Sequence, residues 1–451
     1  MNSGRNKMAN IGFISLGCAK NQVDCERMMY RVQEAGYTVQ ENVVGADVVV
    51  INTCGFIDSA KSEAIDHILQ MGQLKSEGLV KKILVTGCLS QRYQLEILNE
   101  MPEVDGVLGT GSYTKIVPAI EELLADKCVS EFDSIDTPEE ETGRILTTPE
   151  HYAFIKIAEG CDNRCSYCII PYLRGKFRSR SIDDVLYEAR LLAASGVKEL
   201  IVVAQDTCRY GTDLPEKKRL LPELLRSLCA IDGFEWIRLH YAYPDEIDDA
   251  LIDVIAQEEK IVKYLDIPIQ HCNDHILKLM NRRGNGDFLR QLLQKLRDRI
   301  PGLVLRTSVI TGLPGEDEAA FEELCVFLKE MRLERVGAFP FSPEEGTPAA
   351  DMDYPDSEIA QQRAQQVEAI QSRIMDDYNA NIIGKTLKVL VDGFDEEFEQ
   401  FYGRTYADSP DIDGRVWIAS EEPLTEGTFV NVCIDGLIEG DLSGYLLEES
   451  L

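Results

Sequence analysis

Basic residues are scarce in this chain of 451 residues, which has 46 Lys and Arg against 78 Asp and Glu and a formal net charge of −32. Proteins that hold long stretches of nucleic acid use Lys and Arg to displace counterions from the phosphates. The charge therefore argues against a large nucleic-acid footprint and favours a basic partner or a small molecule. Solubility alone would explain the same acidic composition, so both interpretations stay open at this point.

Long apolar runs are also missing. The sequence has no stretch of about 18 apolar residues, the length that a membrane-spanning helix needs, and no apolar segment with a cleavage site at its start. We therefore expect a cytoplasmic protein without a membrane partner. Thirteen cysteines in such a chain favour metal binding or catalysis over a disulfide framework.

Strand and helix patterns alternate over residues 9–126, which predicts an N-terminal domain with an open parallel α/β sheet. Cys18, Cys54 and Cys88 each follow a strand pattern at the point where the chain turns towards a helix. The carboxyl ends of parallel strands share one edge of a sheet, so these three thiols can converge. Coincidence explains their spacing equally well, because Cys is often a small buried apolar residue.

The rest of the chain predicts a linker and two further domains. Residues 127–146 are acidic and aperiodic, as expected of a linker. Six β/α units follow within 147–378, too few for a closed eight-stranded barrel, so a partial (β/α)6 barrel is expected. One of its helices opens with a capping signal at Ser181, and residues 357–380 are predicted to form a helix. Short β patterns over 381–449 predict a small all-β, OB-like barrel.

A loop with three cysteines follows the first strand of the partial barrel. Cys161, Cys165 and Cys168 form the pattern C-x-x-x-C-x-x-C. A zinc site would need a fourth ligand at compatible spacing, and the nearest His, His151, precedes the strand. Three thiolates instead suit three irons of a 4Fe–4S cluster, which leaves the fourth iron open to another ligand.

This loop, with Tyr167 before its last cysteine, resembles the radical S-adenosylmethionine (SAM) superfamily. The resemblance implies that SAM binds the open iron. It also implies that one electron cleaves SAM to a 5′-deoxyadenosyl radical, which abstracts a hydrogen atom. A donor of that electron is therefore an implied partner.

Candidate SAM contacts come from the loop and from the ends of later strands, where the segment "ITGLPGE" resembles the superfamily's SAM-contacting turn. For any one polar residue among them, a purely structural hydrogen bond is an equally good explanation. The candidates are Tyr167, Arg178, Gln205, His240, Gly312 and Pro314. A basic stretch from Arg174 to Arg180 is either a solvated loop or a binding site for a carboxylate of SAM or substrate.

The segments "SLGCAKN", "NTCGFIDSAKSEA" and "VTGCLSQ" resemble the three cluster motifs of the methylthiotransferase family. The resemblance implies that Cys18, Cys54 and Cys88 hold a second 4Fe–4S cluster with an open iron. It also implies a C-terminal TRAM domain and insertion of CH₃–S– into an unactivated C–H bond. One SAM would give the methyl group and another the radical. No residue is expected to act as an acid, base or nucleophile, because the clusters carry the chemistry.

The family has one branch that modifies an adenosine in tRNA and another that modifies the β-carbon of an aspartate in the small-subunit ribosomal protein S-twelve. "SLGCAKNQVDCERM" resembles the second branch. Residues 381–451 hold four Lys or Arg and sixteen Asp or Glu, a net charge of −12, which suits a basic ribosomal protein and no stable nucleic-acid binding. The densest acidic patch is "VDGFDEEFEQ". A tRNA-modifying enzyme and an iron–sulfur redox carrier remain the alternatives.

Overall fold

The structure is a computed structural model that describes residues 9–138 and 143–447. It divides into two compact units. The first comprises the described residues up to Thr147 together with Ala158–Arg180 and Ser342–Ala350, and the remaining described residues form the second. Within the described part of the chain, no helix is long and apolar enough to cross a membrane.

The first unit is built on a six-stranded parallel sheet with the order β2-β1-β3-β4-β5-β6. Its strands are β1 (Asn10–Ser15), β2 (Thr38–Gln40), β3 (Val48–Thr53), β4 (Lys82–Gly87), β5 (Gly106–Leu108) and β6 (Val129–Glu131). Its helices are α1 (Ala19–Glu34), α2 (Asp58–Ser76), α3 (Cys88–Tyr93), α4 (Leu95–Glu100) and α5 (Ile116–Leu124). The open parallel α/β sheet predicted for the N-terminal domain is confirmed.

Helices cover both faces of this sheet. In the fully buried strand β3, Val48 and Val50 pack with α1 and α5, while Val49 and Ile51 pack with α2. Side chains of a strand alternate between the two faces, so a strand that is apolar at every position must be covered on both sides. The sequence "VVVINT" therefore forms a central strand.

The interval 127–146 does not begin as a linker. Residues Val129–Glu131 form β6, which pairs in parallel with β5 and lies at the edge of the sheet. Only Val129 of this strand is buried, so the segment lacks the apolar run of a central strand, and its acidic composition suggested a linker. Part of the interval, residues 139–142, lies outside the described residues.

The central region contains the expected six-stranded parallel sheet, in the order β14-β13-β12-β11-β10-β7. The strands from 152 to 340 are β7 (Tyr152–Lys156), β8 (Ala158–Glu159), β9 (Arg178–Ser179), β10 (Glu199–Val203), β11 (Trp236–Leu239), β12 (Ile261–Asp266), β13 (Val304–Thr311) and β14 (Arg335–Pro340). The helices are α6 (Ile170–Arg174), α7 (Ile182–Ala194), α8 (Leu221–Cys229), α9 (Asp249–Gln257), α10 (Asp274–Leu279), α11 (Gly286–Arg299) and α12 (Glu318–Met331). The Ser181 hydroxyl accepts a bond from the Asp184 amide at the start of α7, as predicted.

The C-terminal region begins with helix α13 (Ser357–Ala380), which has the predicted bounds. The strands that follow form a closed barrel in the order β15-β16-β17-β19-β18. They are β15 (Thr386–Asp395), β16 (Gln400–Arg404), β17 (Val416–Ala419), β18 (Phe429–Ile438) and β19 (Asp441–Leu446). The predicted small all-β barrel is thus confirmed.

A buried ionic network joins this barrel to the six-stranded sheet within the second unit. Glu199 accepts hydrogen bonds from Arg238 (2.7 Å) and from Arg404 of β16 (2.6 Å). Arg404 also donates to Asp392, which lies 2.7 Å from the imidazole of His151. The side chains of Glu199 and Arg238 are 0% exposed. Each buried charge therefore depends on its partners, because desolvation of an unpaired charge is costly.

The network predicts a large effect of Glu199→Gln. Glutamine keeps the shape of the side chain but leaves Arg238 and Arg404 without their shared carboxylate. We expect a loss of about 3 to 5 kcal/mol in the free energy of unfolding of the second unit. Both tryptophans, Trp236 and Trp417, belong to that unit, so their fluorescence during urea denaturation measures the loss.

The matched control is Glu235→Gln, which removes the exposed Lys388–Glu235 pair and should cost at most about 1 kcal/mol. Lowering the pH should reduce the difference in the free energy of unfolding between wild type and Glu199→Gln. Burial alone would raise the pKa of Glu199, but Arg238 and Arg404 outweigh it and lower that pKa. The carboxylate therefore stabilises the fold above the pKa of the unfolded chain, and this contribution disappears as the pH falls through the lowered pKa. If this difference in the free energy of unfolding stayed constant on acidification, the stabilising role of the Glu199 carboxylate would be contradicted.

Candidate functional site

Cys18, Cys54 and Cys88 lie at the carboxyl edge of the first unit's sheet. Cys54 directly follows β3, Cys88 directly follows β4, and Cys18 caps α1 shortly after β1. These three strands are immediate neighbours in the sheet. The three cysteines therefore lie along one edge of the sheet, as their positions in the sequence predicted.

Glycines next to these cysteines let the three loops approach one another. Gly17, at φ +89°, faces Cys54 so closely that a Cβ at residue 17 would lie 2.7 Å from the Cβ and 3.1 Å from the Sγ of Cys54. A Cβ on Gly55 would lie 2.8 Å from the Leu89 backbone, and one on Gly87, at φ +97°, would lie 2.3 Å from the Thr53 carbonyl oxygen. Any larger residue at these positions would separate the loops.

Two buried asparagines fix the same loops. The side-chain amide of Asn21 donates to the carbonyl oxygens of Leu16 (2.6 Å) and Thr53 (3.3 Å), which precede Cys18 and Cys54. The amide of Asn52 donates back to the carbonyl of Asn21 at 2.7 Å. These bonds satisfy backbone groups that would otherwise be buried without partners. They also hold the two cysteines in a fixed relation.

The thiols of this trio influence one another. Burial, together with the neighbouring Cys88 and Cys18, raises the pKa of Cys54 to about 12. Burial also raises the pKa of Cys88, against the opposing effect of the Arg174 guanidinium. Both shifts favour the protonated form of Cys54 and Cys88, whereas metal binding requires thiolates and releases the protons.

The donor set of this sheet edge is compatible with an iron–sulfur cluster. In a 4Fe–4S cluster each thiolate binds a different iron, so the three sulfurs need not meet at one point. Three mutually close thiols on adjacent loops satisfy that requirement.

The loop with Cys161, Cys165 and Cys168 also belongs to the first unit. It runs between β8 and α6, and β8 pairs with β9 beyond the loop. The amide of Cys161 donates to the carbonyl of Gly175 (3.1 Å), and that of Cys168 donates to the carbonyl of Cys165 (3.0 Å). The ends of the loop are therefore closed against each other, which suits three ligands on one compact turn.

The two cysteine trios are neighbours within this unit. Ile169, which directly follows Cys168, packs in one buried cluster with Leu173, Phe56 and Cys88. A layer of apolar side chains thus connects the loop of one trio to a cysteine of the other. The loops that carry the two trios are therefore linked by this small apolar cluster.

The basic stretch after the loop divides into residues with different surroundings. Arg174 is buried and donates to Cys88, Asp24 and Glu159, so it binds carboxylates of the protein itself. Arg178 donates to the carbonyl oxygens of Arg174 (3.3 Å) and Lys176 (2.6 Å). Tyr167 lies half-buried in the same unit.

The other SAM candidates lie in the second unit, at the carboxyl edge of its parallel sheet. Gln205 follows β10, His240 follows β11, and Gly312 and Pro314 follow β13. His240 is 2% exposed, and its Nε2 lies 3.1 Å from the hydroxyl of Ser409 in the C-terminal barrel. One ring nitrogen of His240 is therefore already engaged.

The "ITGLPGE" turn is held rigidly. Gly312 has φ +74°, and a Cβ there would lie 2.4 Å from the Cβ of Ala360 on α13. The carboxylate of Glu316 accepts from the Gly312 amide (2.9 Å) and from Arg363 (2.8 Å). The glycine is thus required by both its backbone angle and the close approach of α13.

Three family models match the chain. They are "Uncharacterized protein family UPF0004" at residues 10–109, the radical SAM superfamily at 155–328 and the TRAM domain at 383–447.

Similar curated proteins cover nearly the whole chain. A protein of Thermoanaerobacter sp. (strain X514) is 47% identical over 97% of this chain and 100% of its own length. One of Caldanaerobacter subterraneus subsp. tengcongensis is 48% identical, with the same coverage of both chains. One of Clostridioides difficile (strain 630) is 45% identical over 98% of this chain and 100% of its own. Each is named ribosomal protein uS12 methylthiotransferase RimO.

The chain belongs to the RimO family. Membership of the radical SAM superfamily implies SAM and a 4Fe–4S cluster as cofactors of this RimO-family chain.

Solved structures agree on the fold. The radical SAM methyltransferase TsrM of Kitasatospora setae, with cobalamin and a [4Fe-4S] cluster bound, has a TM-score of 0.56 at 15% identity and covers 79% of this chain and 78% of its own. The cobalamin-dependent SAM radical enzyme OxsB has a TM-score of 0.52 at 12% identity and covers 81% and 56% of the two chains. At these identities the likeness concerns architecture alone.

Sequence reasoning on this RimO-family chain placed Cys18, Cys54 and Cys88 at one sheet edge but missed the residues that arrange their loops. The two asparagines and the adjacent glycines occur inside the same motifs, as "GCAKN", "NTCG" and "TGC". Glycine beside each cysteine was a usable signal, because close packing of loops favours residues without a Cβ. The buried pairing of Arg174 had no comparable local signal.

Gly17→Ala should disrupt the Cys18–Cys54–Cys88 site. The new methyl group would collide with Cys54, so the two loops must move apart. If the chain binds two clusters, iron in the anaerobically reconstituted RimO-family protein should fall from about eight towards about four per chain. Colorimetric iron analysis, with far-UV circular dichroism to verify folding, measures this change.

Gly45→Ala is the matched control, because Gly45 has nearly the same φ (+87°) but no atom within 4 Å of its Cβ position. It carries the same backbone strain without the collision, and its iron content should stay at the wild-type level. An unchanged iron content in Gly17→Ala would show that the close approach of these loops is not needed for metal binding.

Proposed function

We propose that this chain adds a methylthio group to the β-carbon of an aspartate side chain in ribosomal protein uS12, using two 4Fe–4S clusters and SAM. Its relatives named ribosomal protein uS12 methylthiotransferase RimO support the reaction and the substrate. In this proposal Cys161, Cys165 and Cys168 hold the SAM-binding cluster, and Cys18, Cys54 and Cys88 hold the second. An electron donor and a cytoplasmic setting complete it.

One observation carries the proposal most strongly: both cysteine trios lie in one compact unit, and Cys88 shares a buried apolar cluster with Ile169, the residue after Cys168. Sulfur insertion into an unactivated C–H bond needs hydrogen abstraction and sulfur delivery at the same carbon. Reactive centres that are close together meet this need through proximity. An iron–sulfur redox carrier would not need an open coordination position at either centre.

The clusters and SAM supply the electron, the methyl group and the hydrogen abstraction when they are bound. The chain's own contribution is to hold and enclose them. Asn21, Asn52 and the neighbouring glycines fix the loops of the second trio, and the apolar cluster that contains Ile169 and Cys88 links them to the loop of the first. The proposed SAM contacts are Tyr167, Arg178, Gln205, His240, Gly312 and Pro314.

The surface of the C-terminal barrel supports a basic protein as substrate rather than tRNA. Between β15 and β16, Glu396, Glu397 and Glu399 are exposed, and Phe394 beside them is 48% exposed. A cluster of exposed carboxylates, close in the sequence to an exposed aromatic residue, suits a cationic protein segment. It would repel the phosphates of tRNA.

Two acidic residues of the predicted patch have other roles. Asp392 is paired with Arg404 and His151 inside the second unit. Asp395 accepts hydrogen bonds from the amides of Glu397 (3.0 Å) and Phe398 (3.1 Å) and so holds the turn. The exposed patch therefore consists of the three glutamates, which we call the acidic tip.

The proposed function is tested by deleting the gene and analysing ribosomal proteins and tRNA by mass spectrometry. We expect the methylthio group to disappear from uS12 while tRNA modification stays unchanged. Loss of a methylthio group from tRNA adenosine, with uS12 unaffected, would move the chain to the tRNA branch. Reductive cleavage of SAM by the purified protein separates an enzyme from a redox carrier.

Replacing each cysteine trio with alanine should separate the two activities. Cys161→Ala/Cys165→Ala/Cys168→Ala is expected to keep about four irons and to lose SAM cleavage, because the SAM-binding iron is gone. Cys18→Ala/Cys54→Ala/Cys88→Ala should still form 5′-deoxyadenosine but yield no methylthio product. Chromatography of SAM products and mass spectrometry of uS12 give both readouts.

Cys128→Ala is the control, because this exposed cysteine belongs to neither trio and its variant should behave as wild type. The assignment of SAM cleavage to Cys161, Cys165 and Cys168 is wrong if the first triple variant still produces 5′-deoxyadenosine. It is also wrong if the second, while folded and holding its remaining cluster, fails to cleave SAM.

Neutralising the acidic tip with Glu396→Gln/Glu397→Gln/Glu399→Gln should weaken binding to uS12. The carboxylates attract a basic partner over a Debye length of about 8 Å at 0.15 M salt, so the variant should also show a flatter salt dependence. A series of binding constants at increasing salt, for uS12 and for tRNA, measures the effect. Asp395 is left in place because it holds the turn.

The matched control is Glu421→Gln/Glu422→Gln/Glu426→Gln, which removes three exposed charges from another loop of the same barrel. This variant should bind uS12 with nearly wild-type affinity. Equal weakening in both triple variants would attribute the effect to net charge alone. Tight, salt-insensitive binding to tRNA would argue against uS12 as substrate.

A further inference from the structure

Arg174 links the two cysteine trios of the first unit. It is the last residue of α6, the short helix that follows the Cys161–Cys168 loop. Its side chain is 4% exposed, and its Nε donates a hydrogen bond to the Sγ of Cys88 at 3.3 Å. A cation that follows one candidate cluster loop in the chain therefore contacts a candidate ligand of the other cluster.

The remaining donors of Arg174 hold the guanidinium in a fixed orientation. One terminal nitrogen donates to the side-chain oxygen of Asn21 at 2.9 Å. The other donates to Glu159 at 3.3 Å and also to Asp24. Asn21 is the residue that holds the loops of Cys18 and Cys54, so Arg174 belongs to the same framework. Because these protein groups occupy the guanidinium, a carboxylate of SAM or substrate is not needed to explain its burial.

We propose that Arg174 is a positioning residue that hydrogen-bonds the Cys88 thiolate in the second cluster and thereby raises that cluster's reduction potential, while Asp24 and Glu159 offset part of its charge. The proposal rests on the second cluster of the proposed function. Hydrogen bonds to the sulfurs and the net charge nearby are two of the factors that set the potential of an iron–sulfur cluster. The reduced cluster carries one more negative charge than the oxidised cluster. A hydrogen bond to a ligand sulfur and a cation beside that ligand therefore both stabilise the reduced state.

The geometry predicts the direction in which each substitution shifts the midpoint potential of the cluster, which a purely structural role of Arg174 would not predict. Removing the guanidinium should shift the midpoint potential to more negative values. Neutralising its two carboxylate partners leaves the guanidinium charge less compensated and should shift the potential to more positive values. Loosening of the site would not be expected to produce opposite shifts from these two changes.

The experiment uses the full chain with Cys161→Ala/Cys165→Ala/Cys168→Ala, so that only the second cluster contributes. Arg174→Met, Arg174→Lys and Asp24→Asn/Glu159→Gln are introduced into this background, reconstituted anaerobically and titrated redox-potentiometrically with electron paramagnetic resonance detection. Iron content and circular dichroism are measured on each sample. Lys61→Met is the matched control, because it removes one partly buried cation from the same unit, where Lys61 pairs with Asp58 and Glu344.

We expect a negative shift for Arg174→Met, a smaller negative shift for Arg174→Lys, a positive shift for the double carboxylate variant and none for Lys61→Met. A folded Arg174→Met variant with about four irons and the potential of its parent would overturn the proposal. If that variant loses its iron, Arg174→Lys decides in the same way. Shifts of one sign in the Arg174 and carboxylate variants would equally overturn it. A parent that binds no iron would instead refute the second cluster, and with it the proposed function.

Discussion

Parallel strands end at one edge of a sheet, and the site of the first unit depends on this constraint. Neighbouring strands lie about 4.8 Å apart, so loops that leave β1, β3 and β4 are close from the outset. The distance left between them is then set by the side chains at the turns. Glycine on one side of each cysteine removes the Cβ that would hold the loops apart, and Asn21 and Asn52 replace water as partners of the backbone. Topology and small residues together thus bring the loops of the three cysteines close to one another.

In both units, buried arginine side chains are stabilised by several polar partners. Arg174 near Cys88 and Arg238 near Glu199 are each almost fully buried, and each has more than one polar partner. Desolvating a guanidinium is costly unless several acceptors replace water. These arginines therefore fix the relation of elements distant in the sequence. Arg174 joins α6 to α1 in the first unit, and Arg238 joins the six-stranded sheet to the Tyr406 carbonyl of the C-terminal barrel in the second. Such contacts contribute geometry more than net stability.

The surface of the C-terminal barrel follows a different rule. Glu396, Glu397 and Glu399 are exposed, so their effect on folding is small and their field extends into solvent. Asp392, close to them in the sequence, is turned inward and paired. The number of acidic residues in a segment thus overstates the negative charge that the segment exposes to solvent. The exposed part of the segment is the acidic tip, with Phe394 next to it in the sequence.

The sequence by itself determined the two parallel sheets, the small barrel and the position of three cysteines at one edge of a sheet. Alternating apolar patterns gave the two parallel sheets, Ser181 marked the start of α7, and the helix over 357–380 was predicted to its ends, because each depends on residues close together in the chain. Cys18, Cys54 and Cys88 could be grouped because each follows a strand. The tertiary structure alone decided that 129–131 joins the sheet, that Asp392 faces Arg404, and that Arg174 contacts Cys88. Each of these contacts joins residues that local periodicity does not relate, and burial selected them by removing water as the alternative partner.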